Sequence, residues 1–273
     1  MTDGVRLGIT LPSFVADPEI ALDVARVADE SGIDGVFVYD HLFRRARDGA
    51  RRPALEATAL LGAVAAVTTR AVVGTLVLRA SLRPPATSGV IVSTAARLAP
   101  GRCAIGIGAG DSESREENNT FGLEFDEMEA RVARLEATVR TARDQGAPIW
   151  VGGLAGPVRA IAAREADGWN AWGLDPAKFA TRAAEVSAAA VRTPFECGWS
   201  GLVVLDESDA AANDRASTLE VAPGTLVGGP DTVAASVAAL GGAGAAWVIL
   251  GAVDAANPRT ARLLGESVRG VLA

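Results

Sequence analysis

The stretch PIWVGGLAGPVRAIAAREADGWNAWG, from Pro148 to Gly173, contains two short apolar segments separated by a segment of helical character. The apolar segments are PIWVGG and GWNAWG, and GPVRAIAAREA lies between them. Strands that alternate with helices pair in parallel, because the helix carries the chain back to the start of the next strand. The stretch therefore predicts a parallel α/β fold.

The same alternation runs through most of the chain. In PEIALDVARVADESG, Ile20, Val24 and Val27 are spaced by four and three residues, as one face of a helix requires. The segments interpreted as strands lie at residues 5–11, 33–39, 71–78, 103–109, 148–153, 168–173, 198–205 and 245–251. Eight strands, each followed by a helix, are the number that closes a barrel. We therefore predict one domain over residues 1–273 with the (β/α)8 TIM-barrel fold.

A doubly wound open sheet is the alternative, and one motif favours it. GIGAG, from Gly106 to Gly110, resembles the start of the glycine-rich fingerprint that binds dinucleotides. However, the third glycine is not at the fingerprint spacing, and the following DSESREENN is too polar to begin a packed helix. We interpret the motif as a strand that leads into a polar loop, and the strand count favours the barrel.

Composition argues against several classes of protein. The net charge of -7 and the pI near 4.9 provide no positive field for nucleic acid or an anionic membrane. The sequence has no run of about 18 apolar residues, and MTDGVRLGITLPSF lacks the pattern of a signal peptide, so we expect a cytoplasmic protein. Cys103 and Cys197 are too few for a disulfide scaffold or a cysteine zinc site, so we expect no metal.

The segment GVFVYDHLFRR, from Gly35 to Arg45, contains the only histidine of the sequence, His41. In a (β/α)8 barrel the active site lies at the C-terminal ends of the strands. The residues that end the first six predicted strands are Pro12–Ser13, Asp40–His41, Leu78–Arg79, Gly110–Asp111, Gly152–Gly153 and Trp172–Gly173. His41 is therefore predicted to lie on the catalytic rim.

Each of these rim residues also has an ordinary structural interpretation. His41 can be a loop residue with a satisfied hydrogen bond, although histidine is also the commonest proton-transfer residue. Asp111 can cap a turn after the glycines. Gly152–Gly153 can form a tight turn, or it can present backbone N–H groups to a phosphate at the start of the following helix. Both interpretations stay open at each position.

Other chemistries fit the sequence less well. A nucleophile elbow would need G-x-S-x-G, which does not occur. A single histidine excludes a zinc site built on several histidines. Lys178 lies in a helical segment with solvated neighbours, which argues against a covalent lysine. Proton handling by His41 and carboxylates, around a bound ligand or redox cofactor, remains.

The sequence resembles the bacterial luciferase-like superfamily of flavin and deazaflavin oxidoreductases. The resemblance covers residues 5 to 253, and residues 70–122 are its most specific part. The segments that carry it are YDHLF, TTRAVVGTLVL, RPPATSGVIVSTAARLAPGRCAIGIGAGDSESREENNTFG and PIWVGGLAGPVRAIAAREADGWNAWG. The pair Asp40–His41 and the acidic residue after GAG are most similar to enzymes that use coenzyme F420. These include deazaflavin-dependent glucose-6-phosphate dehydrogenases and alcohol dehydrogenases.

The resemblance implies roles for particular residues. His41 is implied to handle a proton beside C5 of the deazaflavin, Asp40 to orient that region, and Asp111 to stand where the sugar-phosphate dehydrogenases have an acidic glutamate. A non-proline cis peptide, Leu76–Val77, is implied behind the tricyclic ring. The residues implied to contact the cofactor are Thr75, Leu76, Val77, Gly108, Gly110, Gly152, Gly153 and Gly156.

The sequence departs from that family in two places. FRRAR, with Arg45 near the corresponding position, replaces a tryptophan that follows the histidine in the sugar-phosphate dehydrogenases. Residues 206–224 are brief for the insertion that usually covers the active site, so we expect a luciferase-like barrel with reduced insertions. From the resemblance we expect a homodimeric F420-dependent oxidoreductase that transfers hydride between a small organic substrate and C5. An FMN-dependent monooxygenase and a non-catalytic cofactor-binding paralogue are the alternatives.

Overall fold

The computed structural model describes residues 4–45, 49–112, 114–219 and 221–272. The strands, in chain order, are β1 (Arg6–Thr10), β2 (Gly35–Val38), β3 (Phe43–Arg45), β4 (Arg51–Pro53), β5 (Val72–Arg79), β6 (Cys103–Gly108), β7 (Ile149–Gly152), β8 (Gly168–Trp172), β9 (Glu196–Leu205), β10 (Leu226–Gly228) and β11 (Trp247–Ala252). The helices are α1 (Pro18–Ser31), α2 (Ala57–Val67), α3 (Pro85–Leu98), α4 (Ser114–Thr120), α5 (Met128–Ala142), α6 (Gly156–Glu165), α7 (Pro176–Ala188), α8 (Asp209–Thr218), α9 (Pro230–Gly242), α10 (Arg259–Leu263) and α11 (Arg269–Leu272). A π-helical turn, Leu264–Val268, joins the last two helices.

Eight parallel strands close into a barrel. Their order around the barrel is β1, β2, β5, β6, β7, β8, β9 and β11, and β11 pairs with β1. At the closure Gly8 is in register with Ile249 of β11 on one side and with Gly35 of β2 on the other. The structure therefore confirms the predicted (β/α)8 barrel, and the open doubly wound sheet is excluded.

Aromatic side chains fill the lower interior of the barrel. The rings of Phe37, Trp150 and Trp247 have centroids 5.6 to 5.8 Å apart, and all three side chains are buried. Glycines make room for them, because a Cβ at Gly35 would lie 2.9 Å from Trp247 and one at Gly168 would lie 2.7 Å from Trp150. The interior is therefore packed at this level, and a ligand can enter only from the C-terminal ends of the strands.

Some elements were not predicted from the sequence. They are the hairpin of β3 and β4, the short strand β10 that pairs with β9, and the helix α8. The π-helical turn Leu264–Val268 was not predicted either. The eight barrel strands themselves begin and end within two residues of the predicted segments.

The polar loop predicted after GIGAG is wrong in part, because residues 114 to 120 form helix α4. Two of its polar side chains are buried with hydrogen-bond partners. Glu117 contacts the end of β2, and Asn118 Nδ2 donates to the carbonyl of Glu124 at 3.0 Å. Buried polar side chains cost little when they are hydrogen-bonded, so a helix without an apolar face can pack here. Among all the described helices, none is long and apolar enough to cross a membrane.

Candidate active site

His41 lies just after β2 at the C-terminal end of the barrel, where Glu117 of α4 holds its ring. Nδ1 of His41 lies 2.7 Å from Glu117 Oε1, and the N–H of Leu42 donates to Glu117 Oε2 at 2.7 Å. A carboxylate can only accept, so Nδ1 carries the proton in this pair. Nε2 has no partner among the described residues, and the histidine side chain is 37% exposed. The pair therefore orients the imidazole and leaves Nε2 available.

Glu117 is buried and also forms an ion pair with Arg79. Its side chain is 7% exposed, and Arg79 Nη2 donates to Oε2 at 3.0 Å. Burial raises the pKa of Glu117, but the hydrogen bonds from His41 and the Leu42 N–H outweigh that effect and lower the pKa below its usual range. Glu117 is therefore ionised at neutral pH, as its role as acceptor requires.

Arg79 ends β5 and is buried, with 3% of its surface exposed. Its Nε and Nη1 atoms are buried and have no hydrogen-bond partner in the described chain. Native proteins rarely leave guanidinium N–H groups unsatisfied, since each buried donor without a partner costs about 1–3 kcal/mol. Arg79 therefore has donors to spare beside the histidine and its carboxylate.

Asp40 contacts Arg79 and Arg83, whereas the neighbouring His41 contacts Glu117. It is buried, accepts from the N–H of Arg79 at 2.8 Å and forms a two-pronged pair with Arg83 at 2.5 and 3.1 Å. Arg83 in turn contacts Glu56, the cap of α2, at 2.6 Å. Asp40 thus ties the ends of β2 and β5 to α2, and its orienting role at the cofactor stays a prediction.

Asp111 lies in the exposed loop after β6 and has a local partner. Its Oδ1 accepts from the N–H and the hydroxyl of Ser114, both at 3.0 Å, and so caps the start of α4. Glu117, six positions further along, contacts His41 instead. The structure thus does not bring Asp111 into contact with His41, and a catalytic role for Asp111 stays a prediction.

The expected cis peptide between Leu76 and Val77 is confirmed. Val77 lies against two of the predicted cofactor glycines, since a Cβ at Gly108 or at Gly152 would lie 2.5 Å from a methyl of Val77. These three residues line the upper barrel together, and we call them the Val77 platform. The missing side chains of both glycines therefore make room for Val77.

Thr75 and Leu76 point away from the open end. The Thr75 hydroxyl is buried and donates to the carbonyl of Gly106 at 2.8 Å, while Leu76 packs in the cluster with Phe37 and Trp150. Of the three consecutive residues expected at the cofactor, only Val77 is partly exposed. Thr75 and Leu76 are therefore buried in the barrel and do not face the open end.

The glycines of the predicted phosphate site are not equivalent. Gly153 has φ +136°, which only glycine adopts readily, and its N–H already donates to the carbonyl of Asn170 at 3.2 Å. Of the two interpretations of Gly152–Gly153, a free N–H for a phosphate does not hold at Gly153, because strand pairing continues one residue beyond β7. No described residue accepts from the N–H groups of Leu154, Ala155 and Gly156, at the start of α6. The backbone N–H groups available to an anion thus lie one to three residues after Gly153.

The remaining predicted glycine, Gly110, turns the chain after β6 with φ +78°. A Cβ at this position would meet only the side chains of Ser81 and Ser114, at 3.6 Å or more. The positive φ alone accounts for glycine here.

Aromatic side chains surround the histidine on its other sides. The ring centroids of Phe14 and Tyr39 lie 5.9 and 6.4 Å from that of His41, and Trp172 lies 6.3 Å from Tyr39 with 44% of its surface exposed. The Tyr39 hydroxyl pairs with that of Thr10. Burial raises the pKa of Tyr39 to about 12, so the phenol stays protonated at neutral pH. The entrance is therefore largely aromatic.

The FRRAR segment, which replaces the family's tryptophan, begins on the β3–β4 hairpin. Arg45 pairs with Glu116 of α4 there, with Nε 2.9 Å from Oε1. Ala46 and Arg47 lie outside the described residues. Arg45 therefore braces the hairpin against α4 and does not supply an aromatic face.

Comparison with known proteins gives consistent results. A family model described as Luciferase-like monooxygenase matches residues 5–144 and 133–223. An F420-dependent glucose-6-phosphate dehydrogenase of Microbacterium testaceum is 30% identical over 204 residues, which cover 64% of this chain and 59% of the relative. Another from Kineococcus radiotolerans is 36% identical over 138 residues, 50% of this chain and 39% of the relative. This chain thus spans less than two thirds of the length of these curated relatives.

Solved structures share the fold at low identity. An F420-dependent secondary alcohol dehydrogenase in complex with an F420-acetone adduct has a TM-score of 0.81 at 16% identity, covering 98% of this chain and 99% of that one. The monooxygenase RslO1 from Streptomyces bottropensis has a TM-score of 0.78 at 20% identity, covering 98% and 100%. The coenzyme F420-dependent tetrahydromethanopterin reductase from Methanopyrus kandleri has a TM-score of 0.76 at 16% identity, covering 99% and 100%. Such identities establish the barrel fold alone.

Proposed function

Because this chain belongs to the luciferase-like monooxygenase family, we propose that it is an F420-dependent oxidoreductase that transfers hydride to or from a small organic substrate. The observation that carries the proposal is the pair of His41 and Glu117, 2.7 Å apart, at the end of the barrel that holds the Val77 platform. The names of the curated relatives support F420 in preference to other cofactors.

The residues at this end of the barrel fit such a cofactor. The Val77 platform has no side chain larger than valine, so it offers a flat apolar surface for a planar ring. The unpartnered N–H groups at Leu154, Ala155 and Gly156 suit a phosphate, because backbone donors at a helix start attract anions. The spare donors of Arg79 lie beside the same rim and suit an oxygen of ring or substrate.

When bound, F420 supplies or accepts hydride at C5 of its ring. In this proposal His41 acts through Nε2 as the proton donor or acceptor for the substrate oxygen, since Nδ1 already donates to Glu117. Glu117 keeps the imidazole in one tautomer and one orientation. Asp40, held by Arg83, fixes the strand end that carries His41. The aromatic entrance favours a substrate with an apolar part, such as an alcohol or a carbonyl compound.

Cofactor titrations test the proposal directly. The purified protein is titrated separately with F420 and with FMN, and ligand fluorescence reports binding. We expect micromolar affinity for F420 and much weaker binding of FMN. Panels of alcohols and sugar phosphates are then offered to the F420-loaded protein, and the visible absorbance of F420 reports its reduction.

Two results would replace the proposal. Tight binding of FMN with no binding of F420 would favour a flavin-dependent monooxygenase. The fold is also shared by the monooxygenase RslO1. Binding of F420 without turnover of any substrate in either direction would favour a non-catalytic cofactor-binding paralogue.

We also propose that the protein is a homodimer. An apolar groove between α2 and α3 includes Leu61, and two of its lining residues, Val90 and Leu98, are 66% and 54% exposed. A second copy would bury these side chains. Leu98→Glu should then lower the mass measured by light scattering to that of a monomer. Val191→Glu, at a similarly exposed apolar residue elsewhere, should not; an unchanged mass for Leu98→Glu would exclude this face.

A further inference from the structure

A second cavity lies outside the barrel, in the groove between α6 and α7. It has a volume of about 470 Å³ and is larger than the groove between α2 and α3. Its lining residues are Leu154, Arg159, Trp169, Leu174, Lys178, Thr181, Arg182 and Glu185. We call it the α6–α7 groove, and nothing in the proposed chemistry at His41 uses it.

The α6–α7 groove carries an excess of positive charge on a chain whose net charge is -7. Arg159, Lys178 and Arg182 line it, and Glu185 is the one acidic lining residue. Glu185 is already paired with Arg182 at 2.8 Å. The ammonium of Lys178 has no partner among the described residues. Two cations are therefore not neutralised by carboxylates, at a site that would suit an anionic ligand.

The groove begins where the predicted phosphate site ends. Leu154 belongs to both, since its N–H is one of the unpartnered amides and its side chain lines the groove. Arg159 Nη1 donates to the carbonyl of Leu154, and Trp169 Nε1 donates to the carbonyl of Gly153 at 2.8 Å. The loop after β7 is therefore fastened to the wall of the groove. From that loop the groove continues along α7 past residues 178 to 185, roughly 10 Å at the helical rise.

We propose that the α6–α7 groove binds the anionic tail of F420, an inference that rests on the proposed function. Beyond its phosphate, F420 carries a lactyl group and a chain of γ-linked glutamates, each with a free carboxylate. A phosphate at the amides of Leu154 to Gly156 puts the start of this tail at the mouth of the groove. Lys178 and Arg159 then pair with tail carboxylates, and Leu154 and Leu174 contact its methylene groups.

Lys178 is the residue on which the proposal is tested. Its side chain is exposed and has no hydrogen-bond or ion-pair partner in the described chain, so its replacement should leave the barrel intact. Arg262, an exposed arginine on α10, is the matched control because it lies outside the groove. Wild type, Lys178→Ala, Lys178→Glu and Arg262→Glu are each titrated with F420 that has no glutamate, a short tail or a long tail.

We expect wild type to bind long-tailed F420 more tightly than the form without glutamate, and salt to reduce that difference. Lys178→Ala should weaken binding of the long-tailed form by about three- to fivefold, because an exposed ion pair contributes up to about 1 kcal/mol. Lys178→Glu should weaken it more, while the form without glutamate binds all variants alike. Arg262→Glu should match wild type.

Three results would overturn the inference. If wild type binds every form of F420 equally, the tail has no site here and the proposed function still stands. If Lys178→Glu weakens the form without glutamate to the same extent, the lysine acts on the loop and not on the tail. If no form binds at all, the proposed function fails as well.

Discussion

The two ends of the barrel treat buried polar groups differently. At the N-terminal end Asp29, near the end of α1, accepts from the N–H groups of Thr69, Arg70 and Ala71 at 2.8, 2.9 and 2.6 Å. It is 7% exposed, as is the side chain of Glu117 at the other end. In the described chain, the donors to the Asp29 carboxylate all belong to residues 69–71, just before β5, so this carboxylate fastens a helix to a strand.

A related arrangement occurs twice at that end, at carboxylates that also pair with Arg269 and Arg192. Asp34 and Asp167 each precede the first glycine of a strand, and each accepts from the first N–H of a neighbouring strand region, at Leu7 and at Ile149, over 2.8 and 2.9 Å. Asp34 and Asp167 both lie in loops that lead from a helix to the next strand. They satisfy backbone donors that strand pairing leaves free at the barrel's edge.

The C-terminal end leaves donors and acceptors unused. In the described part of the chain, the buried side-chain polar atoms without a partner belong to the last residue of β5 or to segments that follow β1, β5, β6 and β11. They are Oγ of Ser13, Nε and Nη1 of Arg79, Oγ of Ser81, Oγ of Ser88, Oδ1 of Asn118 and Oγ1 of Thr260. The buried groups without a partner thus lie toward the C-terminal end of the barrel, whereas the carboxylates at the N-terminal end are satisfied and fasten the fold.

Among substitutions at the two ends of the barrel, His41→Ala is expected to have the largest effect, and that effect is on the rate of the chemical step. Without a positioned acid or base, the rate of the chemical step should fall by roughly 10² to 10⁴, while the dissociation constant of F420 changes by a few-fold at most. Single-turnover kinetics and a fluorescence titration measure the two quantities. An equal loss of affinity and rate would mean that His41 only shapes the pocket, and an unchanged rate would make it structural.

At the other end, Asp29→Asn should destabilise the fold and leave catalysis alone. An amide oxygen cannot replace a carboxylate that accepts from three N–H groups, so the free energy of unfolding should fall by about 2–4 kcal/mol. Denaturant titration measures this. A loss of turnover without loss of stability would contradict the division between the two ends.

The destabilisation should also depend on pH. Burial raises the pKa of Asp29, but the N–H groups of Ala71, Thr69 and Arg70 outweigh it, and the pKa lies below its usual 3.8. A lowered pKa stabilises the fold above the unfolded-state value and loses that contribution as pH falls through the folded-state value. The difference between wild type and Asp29→Asn should therefore narrow below about pH 3.8.

Glu117→Gln is the counterpart of Asp29→Asn, because it removes a buried carboxylate at the C-terminal end of the barrel. The rate should fall by roughly 10- to 100-fold, the usual cost of losing a group that orients another. The single histidine gives unambiguous ¹⁵N signals, which should report a proton on Nδ1 in wild type and mixed tautomers in the variant. Unchanged tautomer signals would show that Glu117 does not position the ring.

The smallest effect is expected from a methyl group on the Val77 platform. Gly108→Ala puts a Cβ 2.5 Å from a methyl of Val77 and must displace it, so F420 affinity should fall by about tenfold. Gly242→Ala, at the end of α9 with no atom within 4 Å of the added Cβ, is the control; it should leave both the fold and the affinity unchanged. Equal affinities for both variants would remove the platform from the cofactor site.

The sequence by itself determined the barrel and the end at which its chemistry lies. Alternating apolar and helical segments are local patterns, so the eight strands and the position of His41 after β2 could be read without any tertiary contact. Family resemblance supplied the cis peptide at Leu76–Val77. The β3–β4 hairpin and β10 escaped prediction because three-residue strands are too short to form a pattern.

Only the tertiary structure decided which residues meet at the site. The partner of His41 is 76 positions away, on a helix whose polar sequence was interpreted as a loop. Likewise, the purpose of Gly108 and Gly152 becomes clear only when Val77 packs between them. Spacing along the chain reports a residue's own element, whereas closing the barrel brings distant strand ends together, and the contacts made there depend on side-chain reach and direction in three dimensions.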